Sequence, residues 1–294
     1  KIVLVTTSIF IAAFLGFFVF ATVSLYKLKS YSSFLYGVTK VVPFPVARAG
    51  GSFVAYENYL FELKHYIHYY QNQQKLDFNS ESGKQQLASF KKRALEKVVN
   101  DAYIKQLAKE KNVSVSDKEV NTEIQTVRAQ NRLGGSDKVF EDVLKEYWGW
   151  TVSDFRRSLR QELLAQKLLP VLDPAIAEKA ANAKKELDAG ASFADVAKKY
   201  SDDLGTKNNG GEYGYPIDKS NRDIPAQTTS ALFELKPGQT SGVIDAGYRL
   251  EIVKNIEVQN DRVRAAHITF SFKDIGAYLN DRKEQKKASL YIKP

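Results

Sequence analysis

The chain has 294 residues, with 43 Lys and Arg against 34 Asp and Glu for a net charge of +9, 3 His, and neither Cys nor Met. The lack of Cys excludes disulfides, thiolate metal sites, a Cys nucleophile and lipidation at Cys. The basic residues are spread along amphipathic stretches rather than gathered in one aromatic-laced stripe, which argues against a nucleic-acid partner and for solvated helix faces.

From Ile2 to Tyr26 there is no charge and no Pro, only a dense run of Ile, Leu, Val and Phe. At the helical rise this run spans about 37 Å, enough to cross a bilayer with some tilt. Residues 1–26 are therefore expected to form a single transmembrane anchor, with the membrane as a partner. A cleaved signal peptide is the alternative, although its apolar core is only about 7 to 15 residues long. Since the chain has no Met, Lys1 is not an initiator and sequence is expected to precede it. Residues 27–45 read as a linker, with Ser30, Ser32 and Ser33, closed by Pro43 and Pro45.

Residues 46–172 carry mainly helical periodicity. Val46 to Val54 reads as a short hairpin, and Leu60, Leu63, Ile67 and Tyr70 recur at helical spacing. Leu87, Phe90, Ala94, Val98 and Ala102 make a second apolar stripe, ending near Asn112. Ser116 with Glu119 forms a capping box before a helix bearing Val120, Ile124 and Val127. Gly134 and Gly135 break the chain, and Thr151 or Ser153 caps a helix that stops at Pro170. His65 and His68 lie three apart on a helix without a third ligand at metal spacing, which predicts surface residues rather than a metal site. Tyr66, Tyr69 and Tyr70 offer either packing or the lining of a peptide groove.

Residues 173–272 start with a helix entered by Asp173 and Pro174 and ended by Gly190, followed by a short helix opened by Ser192 and Asp195. Leu250 to Glu257 and Val263 to Phe270 alternate as strands and are expected to pair antiparallel across a turn at 258–261. Residues 273–294 are a tail. The fold class is α+β: a transmembrane helix, a mostly helical domain, and a mainly antiparallel sheet covered by helices.

Two stretches resemble known families. YSDDLGTKNNGGEYG (Tyr200 to Gly214) and ALFELKPGQTSGVI (Ala231 to Ile244) resemble, in order, four signature segments of parvulin-type peptidyl-prolyl isomerases. VARAGGSFVAYENYL (Val46 to Leu60), LAKEKNVSVSDKEVNTEI (Leu107 to Ile124) and YWGWTVSDFRRSLRQELLAQKLL (Tyr147 to Leu169) resemble the N-terminal chaperone domain of SurA and PrsA type foldases. The resemblance implies a foldase for secreted proteins with unfolded or extended polypeptides as clients, no cofactor, and a soluble body on the extracytoplasmic side of the cell membrane. It also implies Gly50 at a position with an unusual backbone angle.

The isomerase resemblance implies a site, with departures. Asp203 matches the family's acidic position and His267 its first His, while Arg249 stands where a second His is usual. Tyr213, Ile224 and Thr228 align with the proline pocket, with Phe233 beside them. Losing the pocket's Phe at Thr228 removes about 2 kcal/mol of apolar contact. Catalysis is expected to be weak, and the alternative is a non-catalytic holdase or envelope assembly factor with a degenerate isomerase domain. His267 comes late, on Arg262 to Phe272, whereas the family carries this strand first. That order implies a circular permutation within the domain; the rival is a truncated second repeat.

Overall fold

The apolar run ends by packing against the chain that follows it. In the computed structural model, which describes residues 2–129 and 136–293 and, in the first helix, side chains from Ile11 onward, α1 (Ile2–Thr22) passes into a π-helical turn, Val23–Lys27. Ala21, Ser24 and Leu25 are buried, Phe18 stacks on Phe44 at 5.4 Å, and the Tyr26 hydroxyl donates to the Pro45 carbonyl at 2.6 Å. Among the described residues no helix is long and apolar enough to cross a membrane. This overturns the transmembrane anchor expected over 1–26 and leaves the membrane partner that went with it without support. Hydropathy measures how apolar a run is, not what covers it; here its last turns enter the protein's own core.

The stretch 27–45 carries α2 (Ser33–Val41), capped by the Ser32 hydroxyl, which accepts from the Leu35 N–H at 3.3 Å. β1 (Pro45–Ala49) and β2 (Ser52–Ala55) form the expected hairpin, and Gly50 adopts φ 56°, which a residue with a side chain rarely takes. After α3 (Tyr56–Asn72) and α4 (Glu81–Glu110) come α5 (Asp117–Ala129) and α6 (Asp137–Trp148). The capping box that opens α5 is formed, with Ser116 N–H donating to Glu119 at 2.8 Å and Glu119 N–H to the Ser116 hydroxyl at 3.3 Å. Gly134 and Gly135 lie outside the described residues. α7 (Val152–Leu172) runs two residues past Pro170, and α8 (Pro174–Asp188), α9 (Phe193–Tyr200) and α10 (Ala226–Glu234) precede the second sheet. That sheet is β3 (Ile244–Asp245), β4 (Arg249–Gln259) and β5 (Arg262–Ser271), followed by α11 (Ile275–Gln285) and β6 (Ser289–Leu290).

The chain divides into two compact units. One holds the chain up to Ile104, Leu144–Trp150 and the segment from Leu279 on. Its sheet has the order β2-β1-β6, and its core gathers Tyr56, Leu60, Leu63, Phe90, Ala94 and Leu95. The histidine pair is not on an open surface: His65 is half-buried with its ring 4.5 Å from Trp150, and burial pushes its pKa down to about 4, while His68 Nε2 meets the Glu146 carbonyl at 2.9 Å. Tyr66 and Tyr70 pack on Phe90.

The other unit, Lys105–Val143 and Thr151–Tyr278, holds the β3-β4-β5 sheet. β4 and β5 pair antiparallel from Arg249↔Ser271 to Gln259↔Arg262, closed by a two-residue turn whose Asn260 and Asp261 both have positive φ, 48° and 59°. Side chains alternate between faces along each strand. One face, with Leu250, Ile252, Ile268 and Phe270, packs on α8 and α9 through Ala180, Ala183, Phe193 and Val196. The other carries Val253, Val263 and Ala265 against Ile217, Ile224 and Leu232.

Candidate active site

The same two-residue alternation that builds the second core also selects the polar cluster. His267 pairs opposite Val253 and Thr269 opposite Glu251, so Glu251 and His267 are diagonal neighbours on the face away from α8 and α9. The loop after α9 lies along β5 through main-chain bonds: Asp202 N–H to the Thr269 carbonyl at 2.8 Å, His267 N–H to Gly211 O at 2.8 Å, and Tyr213 N–H to Ala265 O at 3.1 Å. Gly211 is required at that crossing. Its φ is +78°, and a Cβ would sit 2.3 Å from the His267 carbonyl oxygen.

This register brings together Asp203 and His267, 64 residues apart, with Asp203 Oδ2 2.8 Å from His267 Nε2. Thr206 completes the contact, since its hydroxyl donates to Asp203 Oδ2 at 2.5 Å and lies 3.0 Å from the same imidazole nitrogen. With that hydroxyl proton committed to Asp203, the network assigns a proton to Nε2, shared between the two oxygens. Asp203 Oδ1 accepts from Gly205 N–H at 3.0 Å. The Thr206 hydroxyl foremost, with Gly205 N–H and His267, holds the Asp203 carboxyl below the usual range against the opposing effect of burial.

Tyr213 covers the imidazole, its ring 4.1 Å from that of His267 and tilted by 34°. Its hydroxyl is buried with no hydrogen-bond partner among the described residues, and burial pushes the phenol up. On the far side, His267 Nδ1 lies 3.4 Å from the Thr269 hydroxyl and 3.9 Å from Glu251 Oε1. Glu251 is wholly buried and is held by Arg249 Nε at 2.6 Å and by the Thr228 hydroxyl at 2.5 Å. Burial alone would raise its pKa; the facing imidazole, the Arg249 charge and the Thr228 hydroxyl outweigh it and leave the carboxyl below the usual range.

Of the residues picked out by the sequence, Asp203 and Tyr213 each touch His267 directly. Arg249 and Thr228 reach them through Glu251 rather than through Asp203. Ile224 and Phe233 do not join the cluster; Ile224 is buried against Ile217, Leu232 and Val253, with Phe233 packed on the same group. The sequence reading missed Glu251 and Thr206. The available signals were an acid inside an otherwise apolar strand, two residues after an Arg, and a hydroxyl three residues after the acidic position.

Comparison with known proteins locates these elements. Residues 3–169 match the family described as SurA-like N-terminal domain, and residues 172–257 match the PPIC-type PPIASE domain of the Rotamase family. The foldase protein PrsA of Clostridium botulinum (strain Okra) is 26% identical over 213 residues, which cover 60% of this chain and 62% of that protein. The foldase protein PrsA of Caldanaerobacter subterraneus is 28% identical over 193 residues, 59% of each chain. The chain thus spans about three fifths of the length of these curated relatives. Among solved structures, the peptidylprolyl isomerase PrsA of Bacillus anthracis is 22% identical, with 65% of this chain and 88% of that one covered and a TM-score of 0.21.

Proposed function

Because the chain belongs to the SurA-like N-terminal domain family and carries a PPIC-type isomerase domain behind it, we propose that it is an extracytoplasmic foldase of secreted polypeptides, with slow prolyl isomerase activity. The observation that carries the catalytic half is the 2.8 Å contact between Asp203 and His267 beneath the Tyr213 ring. Twisting an X-Pro amide has a barrier of about 20 kcal/mol, because resonance is lost. A catalyst needs no nucleophile or cofactor for this; it needs an apolar seat for the proline and fixed dipoles that favour the twisted amide. Asp203, Thr206 and His267 form a rigid hydrogen-bonded set, and Tyr213 supplies an aromatic face.

The activity is slow on this reading because Arg249, at the usual second His position, is engaged by Glu251 and stays charged. A holdase without isomerase activity is the second reading. It is favoured by Thr228, whose side chain is fully buried on Glu251 and offers no seat to a proline ring. A protease-coupled isomerisation assay on the purified protein decides between them. The foldase reading expects a rate above background that is lost in Asp203→Ala; no rate above background, together with suppression of client aggregation, leaves the holdase.

A further inference from the structure

The unit that holds the β2-β1-β6 sheet also carries a groove of about 720 Å³, within the ordinary range of ligand clefts. Leu95 and Val99 of α4 form its floor, and Leu290 of β6 lines it from the other side. The floor residues are buried in the chain's own packing, whereas Leu290 remains 52% exposed. Lys92, Lys283 and Lys287 stand around the groove with one acid, Glu96. Lys92 lies 3.9 Å from Glu96, so the local charge that remains belongs to Lys283 and Lys287, which have no ion-pair partner among the described residues.

Two features of this groove constrain what fills it. β6 pairs with β1 alone, through Ala47↔Leu290 and Arg48↔Ser289, so it is an edge strand with one side unpaired. β6 is two residues long, so its free edge offers main-chain pairing to a short stretch of an added strand only, and Leu290 belongs to both the edge and the groove. The lining offers apolar surface at Leu95 and Val99 and positive charge at Lys283 and Lys287, so a segment that fills the groove matches it with both apolar and acidic side chains. We propose that the groove receives an extended polypeptide segment in which apolar and acidic side chains alternate. The apolar ones lie over Leu95 and Val99, and the acidic ones come within reach of Lys283 and Lys287. This assigns a place and a composition to the client segments of the foldase reading and rests on that reading.

The test is fluorescence anisotropy at low salt with three labelled ten-residue peptides that alternate Leu with Glu, Gln or Lys. Two exposed ion pairs correspond to about fivefold in affinity. The Leu/Glu peptide is expected to bind at least that much more tightly than Leu/Gln, with Leu/Lys weakest. Lys283→Glu with Lys287→Glu is expected to erase or invert the order, whereas Lys105→Glu with Lys109→Glu, an equal charge change at exposed positions elsewhere on α4, keeps it. Equal binding of all three peptides, equal effects of the two double variants, tighter binding of a helical acidic peptide, or a dimer that dissociates only in Lys283→Glu with Lys287→Glu would each overturn the proposal. Aggregation suppression in the unmodified protein separates the two levels. If it persists while the peptide order is absent, the groove assignment fails and client binding stands; if both are absent, the groove assignment and the client-binding half of the foldase reading both fail.

Discussion

Arg249 Nε meets Glu251 Oε1 at 2.6 Å, two residues along the same strand, and the guanidinium is thereby directed at a buried carboxylate instead of at Asp203. The pair explains how the Arg249 charge is tolerated beside the site: it is matched from inside the sheet. It also means that neither residue can be changed without consequence for the other. Arg249→His alone is expected to destabilise the protein by about 2 kcal/mol, less than for a fully buried pair because the Arg249 side chain is 38% exposed. Arg249→His with Glu251→Leu should recover most of that loss and raise the isomerase rate above either single variant. Urea unfolding and the protease-coupled assay read the two effects. An unchanged urea midpoint in Arg249→His would show that the pair does not contribute.

Acid is expected to weaken this part of the molecule. Asp203 and Glu251 both have folded pKa values below the usual range, Asp203 chiefly through Thr206 and Glu251 through His267, Arg249 and Thr228 against its burial. A carboxyl depressed in the folded state contributes stability that is complete above its unfolded value near 4 and is lost as pH falls through the folded value. The contribution of these two groups should therefore be flat from about pH 5 to 7 and decline below about pH 4. The decline should be shallower in Asp203→Asn, as followed by urea midpoints across the acid range. An equally steep decline in that variant would assign the acid sensitivity to other carboxyls.

Thr206→Val removes the hydroxyl that donates to Asp203 and lies beside His267 Nε2 while keeping the side-chain shape. The Asp203 carboxyl should then titrate closer to the ordinary range, visible in a carboxyl NMR titration. The isomerase rate should fall along with it. A shifted titration with an unchanged rate would separate the electrostatics of the site from its turnover.

Gly211→Ala places a methyl 2.3 Å from the His267 carbonyl oxygen at a φ of +78°. The backbone conformation alone costs a residue with a side chain about 1–2 kcal/mol. The contact with main chain adds to that, for a total of about 3 kcal/mol or more. Because the displaced atoms are those that seat the loop on β5, loss of the Tyr213 and His267 ring contact should accompany the loss of stability. NMR shifts of the imidazole protons report the ring contact. Gly214→Ala, with positive φ but nothing within 4 Å, should cost less.

Local signals in the sequence located much of this architecture. The Gly50 turn, the Ser116 and Glu119 cap and the turn expected at 258–261 each depend on neighbours within a few residues; each is present, the last narrowed to Asn260 and Asp261 because β4 runs on to Gln259. The Asp203 and His267 contact spans 64 residues, and no spacing rule reaches it; family resemblance placed both residues in one site. Glu251 escaped because an acid in a strand ordinarily marks a solvent face, and only the packing of Thr228 and Arg249 around it shows that it points inward. Ile224 went to the core because an apolar side chain at that point of the loop packs on Ile217, Leu232 and Val253. The apolar run misled for a related reason: Phe18, Ala21 and Leu25 are as apolar as a membrane helix demands, and they meet protein.

The bonds from β5 to the loop between Asp202 and Ile217 carry a consequence for the order in which the site comes into being. Thr269, His267, Ala265 and Val263 provide the main-chain partners that hold that loop in place. A chain folded only as far as β4 therefore carries Asp203, Thr206 and Tyr213 without their support. Until β5 has docked, there is no imidazole to meet and no strand on which the loop can settle. A chain truncated at the β4–β5 turn would thus keep all three side chains and lack the strand that brings them together.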